Sequence, residues 1–187
     1  MNHFITKHAT GKKVILFVIL ANIIYALMVY VTIPKVSSFT DGLNLLDMMP
    51  RGYDFEYVKN LFDSLGSEGR SVYLYQQIPL DLVYPFLFGL SNLLLLAYLF
   101  KKIEVKNKNV YYLSLIPVVG GIFDYCENFG TIGLLTSYPD ISPLFVQINS
   151  FFTVLKSGFV ALFFILLILT FLVFVFIKVK SILSTRQ

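Results

Sequence analysis

The sequence predicts an all-α integral membrane protein built as a four-transmembrane-helix bundle, and its composition and apolar runs lead to this fold class. Apolar residues make up 57% and charged residues 14% of the 187 residues, whereas soluble domains contain about 45–50% and about 25%. Four continuous apolar runs each reach the roughly 20 residues that a helix needs to cross a hydrocarbon core. Continuous runs of this length are typical of membrane helices rather than of alternating membrane strands.

The predicted spans cover about 14–33, 79–100, 110–133 and 148–177, within a single membrane domain over residues 1–187. The fourth run is the clearest, because no charged residue occurs between Gly158 and Ile177. The first run could instead be a signal peptide cleaved near residues 36–38. We favour a membrane anchor, because the apolar stretch is longer than the 7–15 residues of a typical signal core.

The placement of lysine and arginine predicts that both termini are cytoplasmic. Basic residues dominate the N-terminal tail, the connection between the second and third spans, and the C-terminal tail. The segment 34–77, in contrast, holds six acids and four bases. Because positively charged loops stay in the cytoplasm, loop 34–78 is expected on the outer face of the membrane.

The outer loop 34–78 is too long for a simple turn and is predicted to form a helical cap that leads into the second span. Apolar residues recur there at helical spacing between Phe55 and Leu65, and Gly66 follows as a C-cap. We therefore expect one or two amphipathic helices in this loop. They would lie over the outer end of the bundle or, alternatively, on the lipid headgroups.

Charged residues from three different spans are predicted to lie at nearly one depth, towards the outer leaflet. Counted from the cytoplasmic ends of their spans, Asp81 lies about 20 residues, Glu127 about 18 and Asp124 about 15 residues away. Lys156 lies just outside the apolar run of the fourth span. Because these residues are far apart in sequence, a local bias in composition does not explain the agreement in depth.

The spacing within the spans indicates that these side chains face the interior of the bundle. Asp124, Glu127 and Asn128 are three and four residues apart and share one helix face, and Tyr84 lies one turn after Asp81. A charge that faces lipid at mid-membrane costs on the order of 2.5–3.5 kcal/mol. We therefore predict a polar pocket in the outer half of the bundle. Lys156 is the first candidate for the positive charge opposite the acids, and Arg70 is the second. The predicted binding residues are Asp81, Tyr84, Asp124, Glu127, Asn128, Lys156 and Arg70.

The pocket is expected to bind a lipid-like or cationic small molecule, or the protein is a small accessory subunit. The expected partners are membrane lipids, and the chain could also form a homo-oligomer. One alternative is a membrane enzyme that acts on a lipid or isoprenoid with an aspartate as general acid–base, and another is a proton- or cation-coupled transporter component. A purely structural hydrogen-bond network also remains open. We expect no metal, because His3 and His8 lie far from the acids. Neither a cofactor nor a nucleic-acid partner is expected.

Overall fold

The computed structural model describes residues 7–184, and all regular secondary structure in that part of the chain is helical. Two π-helical segments cover Met28–Thr32 and Tyr73–Gln77, and two short 3-10 segments cover Leu46–Met48 and Lys108–Leu115. The α-helices are α1 (Gly11–Leu27), α2 (Ile33–Ser37), α3 (Phe55–Val72), α4 (Ile78–Lys102), α5 (Ile116–Ser137) and α6 (Pro143–Ser184).

Within residues 7–184, three helical stretches are long and apolar enough to cross a membrane: Gly11–Ser37, Phe55–Lys102 and Pro143–Leu183. In the first and the last stretch, only 17% and 11% of the most apolar window is buried inside the protein. Large apolar side chains such as Ile19 and Leu172 are therefore exposed in numbers that suit a lipid environment. The prediction of an all-α chain with helices long and apolar enough to cross a membrane is confirmed, although α5, which corresponds to the predicted third span, is not among the three stretches.

Helix boundaries differ from the prediction at two places. The last helix runs from Pro143 to Ser184, longer than the predicted 148–177, because the added residues 144–147 and 178–184 contain no proline or glycine that would stop a helix. The predicted stop at Gly66 is a real break, with φ at 59°, but the helix resumes at once. The chain then continues without a loop through Tyr73–Gln77 into α4.

The segment before α4 packs on the ends of α5 and α6 instead of projecting away from them. Asp54 caps α3 by accepting a hydrogen bond from the backbone N–H of Tyr57 at 2.8 Å. The apolar face of α3 is fully buried and meets residues from the end of α5 and the start of α6. This cluster contains Val36, Leu45, Leu46, Val58, Leu61, Phe62, Leu65, Leu134 and Val146.

Helices α4 and α5 approach each other closely where small residues face backbone. A Cβ atom added to Gly121 would lie 2.9 Å from the carbonyl oxygen of Pro85, and one added to Gly89 would lie 3.3 Å from the Cα of Val118. Any larger residue at Gly121 would therefore force the two helices apart. This close approach places the polar face of α5 directly against α4.

The proline in α4 explains why a buried amide sits opposite it. Pro85 has no N–H, so the carbonyl group of Asp81, one turn earlier, lacks its normal helical donor. The buried side chain of Asn128 in α5 donates a hydrogen bond to this carbonyl oxygen at 2.7 Å. Asn128 therefore satisfies the backbone group that the proline leaves unpaired, as neighbouring helices do in membrane proteins.

Replacing Asn128 should be costly only while the proline is present. We expect Asn128→Ala to lower the free energy of unfolding by about 1–3 kcal/mol, the cost of a buried polar group left unsatisfied. In a Pro85→Ala background the cost should shrink, because the restored backbone N–H reaches the Asp81 carbonyl. Unfolding in detergent would measure this double-mutant cycle. Equal costs in both backgrounds would contradict the pairing.

Candidate functional site

A buried lysine lies between two acids at the centre of the polar region. The Nζ atom of Lys156 in α6 lies 3.5 Å from Oδ1 of Asp124 and in direct contact with Oε2 of Glu127, both in α5. The side chain of Glu127 is fully buried, and those of Lys156 and Asp124 are each only 12% exposed. Three of the predicted residues thus form one ion-pair group, with little water to screen it.

Glu127 is also held by a hydrogen-bonded chain that leads to the segment before α3. The hydroxyl group of Thr153 donates to Oε1 of Glu127 at 2.8 Å and lies 3.3 Å from the hydroxyl oxygen of Tyr53. Asn149 donates from Nδ2 to Tyr53 at 2.9 Å and to Thr131 at 3.1 Å. Burial raises the pKa of the Tyr53 hydroxyl above its ordinary value, so this group stays protonated near neutral pH.

The segment around residues 47–53 approaches the ion-pair group from the side of α6. Lys156 donates from Nζ to the backbone carbonyl of Asp47 at 3.5 Å, and Tyr73 donates to Oδ1 of Asp47 at 3.3 Å. The backbone N–H of Tyr53 donates to the hydroxyl of Ser150 at 2.8 Å. Sequence reasoning missed Asp47 and Tyr53 as neighbours of the site, since nothing in their local pattern indicates that an irregular segment returns to α6.

A glycine permits this return. Gly52 has a φ of +82°, and an added Cβ would lie 2.5 Å from the hydroxyl oxygen of Ser150. Only glycine combines the left-handed backbone with so close an approach. The turn therefore fixes Tyr53 against α6, where its hydroxyl reaches Asn149 and Thr153.

Asp81 belongs to the same polar region but has no partner for one of its oxygens. Its side chain lines the inter-helix cavity together with Asp124, and the residue is only 4% exposed. Its Oδ2 atom is buried and makes no hydrogen bond with the part of the chain that the structure describes. A buried polar group without a partner is costly and calls for a ligand, an ion or water.

The cavity that Asp81 lines has a volume of about 560 Å³ and lies between α1, α4, α5 and α6. This is within the range of small-molecule pockets in proteins, about 300–1,000 Å³. One part of its wall is charged, with Asp47, Asp81, Asp124 and Lys156. The rest is largely aromatic and aliphatic, with the side chains of Tyr25, Met28, Tyr84, Phe88, Val160 and Phe164 among its lining residues.

Two tyrosines stand beside the acids. The rings of Tyr25 in α1 and Tyr84 in α4 have centroids 5.6 Å apart, and the ring of Phe88 lies 5.7 Å from that of Tyr84. Tyr25 and Tyr84 both line the cavity. The predicted residue Tyr84 therefore lies with the acids, and Tyr25 adds a second aromatic face from a helix that carries no acid.

In the structure, Arg70 does not join the ion-pair group of Lys156, Asp124 and Glu127. Its Nη1 atom donates to the carbonyl oxygen of Phe62 at 2.6 Å, and its guanidinium carbon lies 4.4 Å from the ring centre of Tyr138. The hydroxyl of Tyr138 in turn donates to the carboxylate of Asp63. The physical reason is the break at Gly66 within α3, which turns residues 67–72 so that Arg70 reaches back to the first part of the helix.

The formal charges at the site do not balance. Asp47, Asp81, Asp124 and Glu127 carry four negative charges when ionised, and Lys156 supplies one positive charge. These acids are not arranged as a metal site, because no group of three or more His, Cys, Asp or Glu residues in the range 7–184 could hold a metal ion.

Comparison with known proteins identifies no relative: no family model, no curated protein and no solved structure matches this chain.

Removal of the central lysine should destabilise the protein strongly. We expect Lys156→Met to lower the free energy of unfolding by about 3–5 kcal/mol, because the buried carboxylates of Asp124 and Glu127 would lose their positively charged partner. The double variant Lys156→Met/Glu127→Gln should recover part of this loss. Thermal or chemical unfolding in detergent measures both.

Lys178→Met is the matched control, because Lys178 is exposed in the same helix. Its stability should remain close to that of the wild type, within about 0.5 kcal/mol, as for most surface substitutions. If Lys156→Met were as stable as Lys178→Met, the buried ion-pair group would have no role in stability.

Proposed function

We propose that this chain is a multi-span membrane protein that binds a small cationic or lipid-like molecule in the cavity between its helices, without catalysing a reaction. The observation that carries the proposal is the carboxylate of Asp81, which lines a cavity of about 560 Å³ and whose buried Oδ2 atom has no hydrogen-bond partner among the described residues. Asp124 and Glu127 are already engaged by Lys156, whereas Asp81 is left to meet whatever occupies the cavity.

Electrostatics favours a positively charged ligand. Two unit charges 4 Å apart attract by about 4 kcal/mol at an effective dielectric constant near 20. The site holds an excess of acids over bases, and a buried carboxylate that receives no compensation is disfavoured. A cation beside Asp81 would supply this compensation, whereas an anionic ligand would add to the repulsion. The aromatic rings of Tyr25 and Tyr84 also suit a cation.

We further propose that α5 crosses the membrane as a fourth span, between α4 and α6. Its 22 residues extend about 33 Å, enough for a hydrocarbon core of about 30 Å. Its two acids lower its average hydropathy, but Asp124 is 9% and Glu127 0% exposed, so neither faces lipid. Four spans and the basic inner loops support cytoplasmic termini with loop 34–78 on the outer face.

Cysteine labelling tests this topology. In a Cys126→Ser background, single cysteines at Ser67, Lys106 and Asp140 would be treated with a membrane-impermeant maleimide on intact cells. We expect labelling at positions 67 and 140 from outside, and at position 106 only after permeabilisation. Labelling of positions 106 and 140 from the same side would show that α5 does not cross.

Ligand binding should require the carboxylate of Asp81. In lipid nanodiscs, octylammonium should raise the unfolding temperature of the wild-type protein, whereas octanol at the same concentration should not. A ligand at 100 times its dissociation constant stabilises by about 2.7 kcal/mol. Asp81→Asn should abolish the response and leave the ligand-free protein at least as stable, because it removes an unpaired buried charge.

Asp41→Asn is the control, since Asp41 is exposed and its positive φ of 49° suits asparagine. It should respond to octylammonium as the wild type does. A response that survives Asp81→Asn would contradict the proposed role of Asp81.

A further inference from the structure

We infer that the ligand is a single-chain amphiphile with an amine or ammonium head group, which enters from the bilayer through an opening between α1 and α6. The inference rests on the proposed binding function and adds the chemical class, the route and the orientation. The head group would lie beside Asp81, and the hydrocarbon chain would extend along the cavity towards Phe164.

The elongated shape of the cavity supports a chain. Its lining residues on α4 run from Asp81 to Asn92, a distance of about 17 Å along the helix axis. On α6 they run from Lys156 to Phe164, about 12 Å. The charged residues are at one end of each run, and Val160 and Phe164 line the continuation on α6. A polar end followed by an apolar wall matches an amphiphile better than a compact ion.

The charged end combines two kinds of group that recognise alkylammonium ions. The carboxylate of Asp81 provides a counter-charge, and Tyr84 lies one turn further along the same helix. The ring of Tyr25 approaches that of Tyr84 from α1, with the centroids 5.6 Å apart. Aromatic faces next to a cation contribute by cation–π attraction, which grows when water is excluded.

The polar side chains further along the cavity donate hydrogen bonds within their own helices and do not need a ligand as acceptor. Asn22 donates its side-chain hydrogen bond to the carbonyl of Val18 at 2.8 Å, within α1. Ser91 and Asn92 both donate to the carbonyl of Phe88, at 3.2 Å and 2.9 Å. Because these donors are satisfied by their own helices, this part of the cavity can hold a hydrocarbon chain without leaving them unpaired.

The cavity opens sideways, between two helices that do not pack together. Helix α1 packs along α4, and α6 packs along α5, but no comparable interface joins α1 to α6 in the described part of the chain. Tyr25 on α1 is 49% exposed and Phe164 on α6 is 47% exposed, although both line the cavity. They therefore form the two edges of the opening.

The surroundings of the opening are apolar. Next to it, Ile23 on α1 and Ile165 and Ile168 on α6 are at least half exposed. An opening flanked by such side chains faces hydrocarbon if these helices cross the membrane. A molecule already dissolved in the bilayer can enter there without passing through water, whereas a small hydrophilic ion cannot.

Fluorescence quenching tests the route and the orientation, because the chain contains no tryptophan. A single tryptophan would be placed by Phe164→Trp at the edge of the cavity, in phosphatidylcholine nanodiscs. The probe is octadecylamine with a nitroxide group near the middle of its chain. We expect saturable quenching that Asp81→Asn removes. Tyr25→Trp, on the other edge, serves as a second reporter should the first variant not fold.

Phe176→Trp is the matched control, because Phe176 is 69% exposed on the same helix and does not line the cavity. Its quenching should rise only in proportion to the amount of probe in the bilayer, without saturation. Unlabelled octadecylamine should reverse the saturable quenching at Phe164→Trp, and stearic acid should not.

The outcomes separate this inference from the proposed function. If octylammonium binds in an Asp81-dependent way but neither edge reporter is saturably quenched, the amphiphile and its lateral route are wrong and cation binding stands. If stearic acid reversed the saturable quenching as well as octadecylamine does, the inference that the head group is an amine would be wrong. If neither octylammonium nor the nitroxide probe depends on Asp81, both proposals fail.

Discussion

The contact of Lys156 with Asp124 and Glu127 is the interaction on which the polar interior of this protein depends. Charges removed from water are tolerated only when they are paired and hydrogen-bonded. Here one lysine from α6 compensates two acids from α5, and Thr153 supplies a further donor to Glu127. The contact therefore joins α5 to α6 at the level where the irregular segment around Asp47 reaches the helices.

The same constraint is the reason for proposing that Asp81 takes part in ligand binding. A single lysine does not neutralise every acid around it, and the backbone of Asp81 is satisfied by Asn128 while its Oδ2 atom is not. A purely structural network would be expected to close its hydrogen bonds. Here Oδ1 of Asn149 and Oδ2 of Asp81 are both buried without a hydrogen-bond partner in the described part of the chain. Of these two residues only Asp81 lines the cavity, which is the physical reason for proposing that a positively charged group completes the network there.

Much of the fold and part of the site were predictable from the sequence. Counting helical residues from the basic loops placed Asp124, Glu127 and Lys156 at one depth, and the structure brings them together. Asn128 was predicted to share their face, and it does lie buried against α4. These predictions work because helix geometry and the cost of charge in lipid act within continuous segments.

Other features depend on how irregular backbone folds back, which local patterns do not encode. Asp47 and Tyr53 reach the site through a turn at Gly52, and Arg70 is carried away from it by the break at Gly66. The cavity itself arises because α1 packs on α4 and does not cover the side of α6 that faces the cavity. The sequence pattern of α1 does not indicate that this helix packs on α4 rather than on α6. The position of Tyr25 at the cavity and the opening between α1 and α6 were therefore not predicted.

A crystal structure grown from a lipid mesophase that contains octadecylamine would test the central claim most directly. The account predicts continuous density in the cavity, with the nitrogen within hydrogen-bonding distance of Asp81 and the middle of the chain beside Phe164. A cavity filled only by ordered water, with Asp81 bonded to another residue of the protein, would contradict it.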